Sequence, residues 1–310
     1  MNSPDYTGRA TDFYVAEPEV ADIVNLAVYL QRPLLVEGEP GCGKTRLADS
    51  IAAEKGLGEP VRISVKSTSR ARDLLYRMDA LRRLQDAQNP KNARAQSIYP
   101  YLSLGPLGAV IAGGEQRVIL IDEIDKADID FPNDLLDVLD SFTFTVEDLP
   151  VEEEEACRAE KGFGRTVEAL AAARPIVVIT SNREKRLPEA FLRRCLYVHL
   201  HFPESPGTLG EIVRKNTRLK EQELSTELLA RVVDAFRGVR STALRADTQK
   251  PPSTSELIDW VRILHWKSVD GDSLDATPGF PPHWKMLFKS MQDLEAYSKA
   301  AELAAQSPEV

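Results

Sequence analysis

Residues 38–45 read Gly38-Glu39-Pro40-Gly41-Cys42-Gly43-Lys44-Thr45 and follow directly on the apolar run Pro33-Leu34-Leu35-Val36. Nothing else in the chain limits its possible folds as much. The spelling G-x-x-x-x-G-K-T belongs to a loop whose backbone N–H groups surround phosphate oxygens. Its glycines let the backbone bend where a side chain would forbid it. Lys44 is placed to reach the β- and γ-phosphates of a nucleotide, and the Thr45 hydroxyl to ligate Mg²⁺. The helix predicted over Arg46 to Glu54 turns its positive end toward the phosphates. All eight loop residues and Arg46 are therefore candidate nucleotide contacts. The bland alternative is a glycine-rich turn with a stray lysine. It fails on context, because a buried-strand signal precedes the loop and a helix signal follows it.

The chain has 310 residues, enough for one large domain or two of ordinary size. Its net charge of −9 argues against a dedicated nucleic-acid binder, although a local basic channel can coexist with an acidic exterior. Cys42, Cys157 and Cys195 are odd in number, far apart and without metal-ligand spacing, which points to a reducing compartment. Met1-Asn2-Ser3-Pro4-Asp5 has neither a basic n-region nor an apolar h-region, and no stretch approaches the length of an apolar membrane span. The expected location is the cytoplasm.

Apolar runs punctuated by helical periodicity set the expected fold. Helical spacing covers Pro18 to Leu30, and strands are expected at Pro33–Val36, Val61–Val65, Val118–Ile121, Ile176–Thr180 and Leu196–Leu200. Between them come an amphipathic helix around Asp73 to Gln88, a polar loop at Asn89 to Ser97, and a turn at Gly105–Gly108 leading into a short helix. A further helix is predicted over Phe131 to Ser141, then an alternating Phe142–Val146 as one arm of a hairpin. The acidic run Glu152–Glu155 reads as a solvated loop or helix start. Alternation of strand and helix predicts a doubly wound, five-stranded parallel α/β sheet with ligands at the carboxyl ends of its strands. After Phe202-Pro203-Glu204 the strand signals stop. Helices are expected over 208–218, 223–240, 253–268 and 283–304, with a loop at 269–282. The expected organisation is a nucleotide-binding core over 1–202 and a small all-helical domain over 203–310.

Two strand ends complete the chemical pattern. Val118-Ile119-Leu120-Ile121 runs into Asp122-Glu123, so a parallel strand delivers two carboxylates to the sheet rim. Asp122 is placed to hold Mg²⁺ and Glu123 to polarise the water that attacks a γ-phosphate. Thr180-Ser181-Asn182 ends the next strand, where Asn182 can hold that water. Asparagine is also a common cap, but as a third polar strand end in one sheet it reads as a γ-phosphate sensor. Arg193 and Arg194 close a short helix before the fifth strand. In cis they would lie far from this chain's own phosphates, whereas presented to a neighbouring subunit they could neutralise transition-state charge.

With these residues in order, the chain resembles the AAA+ ATPases over nearly its whole length, and more narrowly their MoxR branch with its CoxD-like members. Asp122-Glu123-Ile124-Asp125-Lys126-Ala127 is similar to that branch's D-E-[IV]-[ND]-[RK]-A, and Phe142–Val146 resembles the strand after the Walker B helix. Thr180-Ser181-Asn182-Arg183-Glu184, Arg193-Arg194-Cys195-Leu196-Tyr197 and Glu256-Leu257-Ile258-Asp259-Trp260 resemble the CoxD-like forms. The resemblance implies Lys44 and Thr45 as Walker A, Asp122 and Glu123 as Walker B, Asn182 as sensor 1 and Arg194 as the arginine finger, with Arg193 as second choice. It implies ATP and Mg²⁺ as cofactors, and insertions near 66–100 and 142–175. It also implies a hexameric ring, a partner with a von Willebrand factor A domain, and chaperone-like work on a protein client, including metalloenzyme maturation. One departure stands out. The stretch Lys250-Pro251-Pro252-Ser253-Thr254-Ser255-Glu256 has no sensor 2 arginine, and Lys250, Arg245 and Arg240 are the possible substitutes.

The absence of an N-K-x-D guanine signature favours ATP over GTP. Two rival functions are a nucleic-acid motor of McrB-like type, against which the charge counts, and a nucleotide-gated assembly scaffold whose hydrolysis is incidental. Tyr99 and Tyr101 read as a loop packed on its own domain rather than as pore residues. Trp260 and Trp266 read as core of the helical domain, and His199 and His201 as structural rather than metal-binding. Cys42 is expected to have a lowered pKa beside Lys44 and a helix N-terminus, which could make the loop sensitive to oxidants, although bound nucleotide would shield it.

Overall fold

The structure is a computed structural model describing residues 5–88, 92–277 and 279–306. In chain order the strands are β1 (Leu34–Gly38), β2 (Val61–Ser64), β3 (Tyr76–Met78), β4 (Leu102–Leu104), β5 (Val118–Asp122), β6 (Thr143–Thr145), β7 (Thr166–Glu168), β8 (Ile176–Ser181) and β9 (Leu196–Leu200). Five of them form a parallel sheet in the order β2-β5-β8-β1-β9, the α/β architecture expected from the sequence. The apolar runs become central strands because both faces of such a sheet are covered. Every residue of β8 is buried, as are Val118 to Ile121 of β5. The register sets Ile121 between Ile63 and Ile179, and Leu35 beside Ile179, so one layer of branched side chains crosses the sheet.

The chain divides into two compact units that interleave in sequence. One takes Pro18–Glu37 and Thr45–His199 with the residues up to Thr7; the other takes Gly8–Glu17, Gly38–Lys44 and the chain from Leu200 onward.

The first unit carries the sheet and the helices α1 (Pro18–Leu30), α2 (Lys44–Glu54), α3 (Ala71–Leu75), α4 (Ala80–Ala87), α5 (Pro106–Ala112), α6 (Asp130–Asp134), α7 (Leu136–Ser141), α8 (Glu154–Lys161) and α9 (Glu189–Leu192). Its core joins Leu35, Ile63, Ile119 and Ile179 to Leu107, Phe131, Phe142 and Phe191. Two short antiparallel ribbons depart from the parallel pattern. The helix expected over Asp73 to Gln88 is instead α3, β3 and α4. Tyr76 to Met78 extends to pair with Leu102 to Leu104, and the long-range ladder overrides local helical spacing. Residues 89–91 of the expected polar loop lie outside the described residues, as do residues 1–4; Ala93–Gln96 forms a 3₁₀ turn. The Phe142–Val146 segment does supply one arm of a ribbon, β6, which pairs with β7 while α8 lies between them in sequence. The acidic run enters α8, where carboxylates suit a helix N-terminus. The helix expected over Phe131 to Ser141 is divided into α6 and α7 at Leu135. Tyr101 is buried and donates its hydroxyl to Asp86 at 2.7 Å, so the Tyr-Pro-Tyr turn packs on its own unit.

The second unit is helical: α10 (Pro206–Thr217), α11 (Thr226–Arg245), α12 (Thr254–Trp266), α13 (Gly271–Asp275) and α14 (Met291–Gln306). Its core gathers Phe236, Trp260, Leu257, Phe288 and Tyr297. The fully buried Trp260 donates its indole N–H to the Pro282 carbonyl at 2.8 Å, which satisfies the one polar atom it brings inside. Trp266 is not core as expected from its spacing. It is 73 % exposed, with the Lys267 ammonium 4.0 Å from its ring centre. The expected loop at 269–282 contains α13, capped by Asp270. Ser253 and Glu256 form a reciprocal capping box that starts α12 immediately after Pro251-Pro252. The Gly8–Glu17 segment is held here too, because Lys215 donates to the carbonyls of Arg9, Thr11 and Tyr14.

Candidate active site

In the first unit, β5 and β8 are adjacent and parallel, so their carboxyl ends open at the same rim. β5 is followed directly by a residue in the left-handed region, Glu123 at φ 59°, and Arg183, just after Asn182 beyond the end of β8, has φ 62°. That conformation is uncommon for side chains with a Cβ and stops the alternation of the strand. It turns Glu123 toward the neighbouring strand end, where the Asn182 amide donates to Glu123 Oε1 at 3.1 Å. The other carboxylate oxygen is ion-paired with Lys126. This bond to Glu123, more than the nearby negative charges, pushes the Lys126 ammonium above its usual range.

Asp122 takes a separate set of partners. Its Oδ1 accepts from the Thr180 hydroxyl at 2.5 Å and lies 3.4 Å from the Thr45 hydroxyl, the residue that follows the loop lysine. Thr180 is fully buried, and its own oxygen accepts the Glu123 backbone N–H at 2.9 Å. One buried hydroxyl thus fixes both acidic positions. Thr45, Asp122, Glu123 and Asn182, singled out from three separate stretches of sequence, are brought together. A hydroxyl and a carboxylate oxygen facing each other are hard oxygen donors of the kind that would hold Mg²⁺. Among the described residues no group of three His, Cys, Asp or Glu forms a metal cage.

Sequence reading missed Asp125. It is 2 % exposed, and its Oδ2 accepts the backbone N–H of Asn182 at 3.0 Å and of Glu184 at 2.8 Å. A carboxylate three residues beyond Asp122 therefore anchors the turn that carries Asn182. Asp125→Ala would strip the acceptor from two N–H groups, at a cost of about 1–3 kcal/mol. We expect it to lower turnover by about 10- to 100-fold by displacing Asn182. Asp125→Asn, which keeps an accepting oxygen, should retain most activity. Phosphate-release kinetics beside thermal unfolding check this, and wild-type kcat in a folded Asp125→Ala protein would remove the anchoring role. Thr180 was equally hidden, being read as part of the strand end that carries Asn182 and given no role of its own. The signal for both lay in pairings about sixty residues apart.

In the second unit the loop itself is described by Gly38–Lys44. Gly41 and Gly43 have φ of 81° and 96°, and a Cβ at Gly41 would collide with the Ser253 hydroxyl. Lys44 is 7 % exposed and donates to the carbonyls of Gly38 at 2.8 Å and Glu39 at 2.9 Å. Its ammonium is thus held along the loop backbone. Burial pushes the Cys42 thiol up, and this outweighs the opposing pull of Lys44. The expected lowering is thus reversed: desolvation disfavours the thiolate, and oxidant sensitivity loses its basis. Among the possible sensor 2 substitutes, Arg245 turns to Ser241 at 3.1 Å on its own helix and Lys250 is exposed. Arg240 instead contacts the loop at Glu39, 2.8 Å away.

Arg194 and Arg193 do not join the cluster at β5 and β8. Arg194 ion-pairs with Asp140 of α7 and donates to the Ala190 carbonyl at 3.2 Å, while Arg193 is exposed. His199 meets Arg183 at 3.4 Å, in a group where Arg183 is also paired with Glu37 and Tyr197.

A comparison with known protein families matches residues 33–195, just over half of the chain, to the AAA domain of the dynein-related subfamily. The chain belongs to that family. The matched span starts at the strand leading into the phosphate loop and ends at Cys195, covering the loop, both acidic positions, Asn182 and the two arginines. As an AAA+ ATPase, the protein is of a class that binds and hydrolyses nucleotide, commonly as a ring and with Mg²⁺. No curated protein matches the chain. Among the described residues of this AAA domain protein, no helix is long and apolar enough to cross a membrane.

Proposed function

We propose that this AAA domain protein is an ATP-hydrolysing motor of the MoxR branch, closest to its CoxD-like members, which assembles as a hexameric ring in the cytoplasm and remodels a protein client. The observation carrying the hydrolytic part is the cluster of Thr45, Asp122, Glu123 and Asn182, with the two carboxylates given different partners and so different tasks. Gly38 to Thr45 would bind the phosphates, Lys44 neutralising the β- and γ-groups, with Arg46 in the first turn of α2. Thr45 and Asp122 would hold Mg²⁺, which when bound neutralises charge on the phosphates. Glu123 would accept the proton of the water that attacks the γ-phosphorus, while Asn182 orients that water. The products are ADP and phosphate. Arg194, or Arg193 beside it, would be donated from a neighbouring subunit.

Support for the MoxR branch comes from Asp122-Glu123-Ile124-Asp125-Lys126-Ala127, in which Asp125 and Lys126 both serve the cluster. A partner with a von Willebrand factor A domain and a role in metalloenzyme maturation follow from the same likeness. Steady-state hydrolysis of Mg–ATP, with size-exclusion chromatography in the presence of nucleotide, tests the reading. The expected outcome is ATP turnover that depends on Mg²⁺ and an ATP-dependent oligomer. Hydrolysis stimulated by DNA and weakening steeply with salt would instead make it a nucleic-acid motor.

A further inference from the structure

The buried arginine of the helical unit points at the phosphate loop. Arg240 lies three-quarters of the way along α11, where a charged side chain at 6 % exposure requires partners. It has three. Its Nη2 pairs with Glu39 Oε2 at 2.8 Å, its Nη1 donates to the Pro252 carbonyl, and its guanidinium carbon stands 3.8 Å from the ring centre of Phe202. Planarity lets one group make all three contacts at once. Glu39 is the second residue of the phosphate loop and 47 % exposed on its side chain. Pro252 is the residue before the α12 cap. The Thr254 hydroxyl of that helix donates to the Gly41 carbonyl at 2.5 Å, a second tie to the same loop.

An acidic residue in a loop built for phosphate opposes its ligand unless its charge is cancelled. We propose that Arg240 is a positioning residue for the nucleotide: it neutralises Glu39 within the phosphate loop and ties that loop to the start of α12. The helical unit thereby couples to phosphate affinity through the loop backbone, rather than through an arginine laid on the γ-phosphate. This rests on the nucleotide reading of the loop.

Calorimetric binding of Mg–ADP, with KM and kcat for Mg–ATP, tests it in the full-length protein. Arg240→Ala should weaken Mg–ADP binding by about tenfold or more and raise KM with a much smaller change in kcat. Arg240→Lys, which keeps the charge and loses the fork, should fall between. Adding Glu39→Gln to Arg240→Ala should recover several-fold in affinity by removing the uncompensated charge. A purely structural role for Arg240 predicts no such recovery. Arg240→Met, which keeps the buried volume, takes the place of the alanine variant if that does not fold. A folded Arg240 variant with wild-type affinity, or a double variant no better than the single, overturns the clamp alone. Wild-type protein that does not bind Mg–ADP overturns it together with the nucleotide reading.

Discussion

Glu123→Gln is expected to lower ATP turnover by about 10²- to 10⁴-fold, the usual contribution of a positioned general base, while ATP binding is retained. The geometry makes this substitution unusually clean. Glutamine still offers the Oε1 acceptor that the Asn182 amide uses, so the turn anchored by Asp125 keeps its place. What is lost is the ability to take a proton. The ion pair with Lys126 is also lost, but both side chains are partly exposed, at 35 % and 40 %, and exposed pairs contribute little to stability. Unfolding temperature should therefore be nearly unchanged while phosphate release collapses. If the proposed ring and protein client exist, nucleotide that stays bound should make the variant accumulate as the assembled ring and hold that client through purification. Turnover at the wild-type rate would show that another group activates the water. A client that co-purifies with it would name the substrate.

Arg194→Ala is expected to lose about 10³- to 10⁵-fold in turnover, with nucleotide affinity preserved, if it supplies charge to a neighbour's γ-phosphate. Within its own chain Arg194 is held by Asp140 and the Ala190 carbonyl, at the end of α9 and away from the cluster of Asp122, Glu123 and Asn182. Neither of those partners belongs to the cluster. Mixing Arg194→Ala with Lys44→Ala separates the two halves of a shared site. The first variant binds nucleotide and lacks the arginine; the second carries the arginine and lacks the phosphate lysine. Mixed rings should regain activity at interfaces where the intact halves meet. Mixed oligomers with no recovered turnover would remove the donation in trans, and the same assay on Arg193→Ala decides between the two arginines.

Local patterns were the legible part of this protein. The runs Leu34–Val36, Val118–Ile121 and Ile176–Ile179 are apolar without alternation because the sheet covers both faces, and the sheet forms as expected. Tyr76–Met78 was not legible, since its strand exists only by pairing with Leu102–Leu104. Trp266 misled because a tryptophan six residues from a core position signals burial only if the helix turns that face inward, and Lys267 covers it at the surface instead. Cys42 misled because charge partners can be read from neighbouring residues, whereas desolvation depends on what packs around the thiol.

The sequence by itself determined the α/β class, the phosphate loop and the identity of Asp122, Glu123 and Asn182 as strand-end groups. Each of these depends on residue spacing within a single element, and such spacing is written in the chain. Only the tertiary structure decided that Thr180 bridges Asp122 to the Glu123 backbone, that Asp125 anchors the turn bearing Asn182, and that Arg240 reaches Glu39 across 201 residues. Those contacts satisfy buried polar groups, and a buried group takes whatever partner the packed chain brings within about 3 Å. No local pattern encodes that partner, so it is settled only when the sheet and the helices have closed around it.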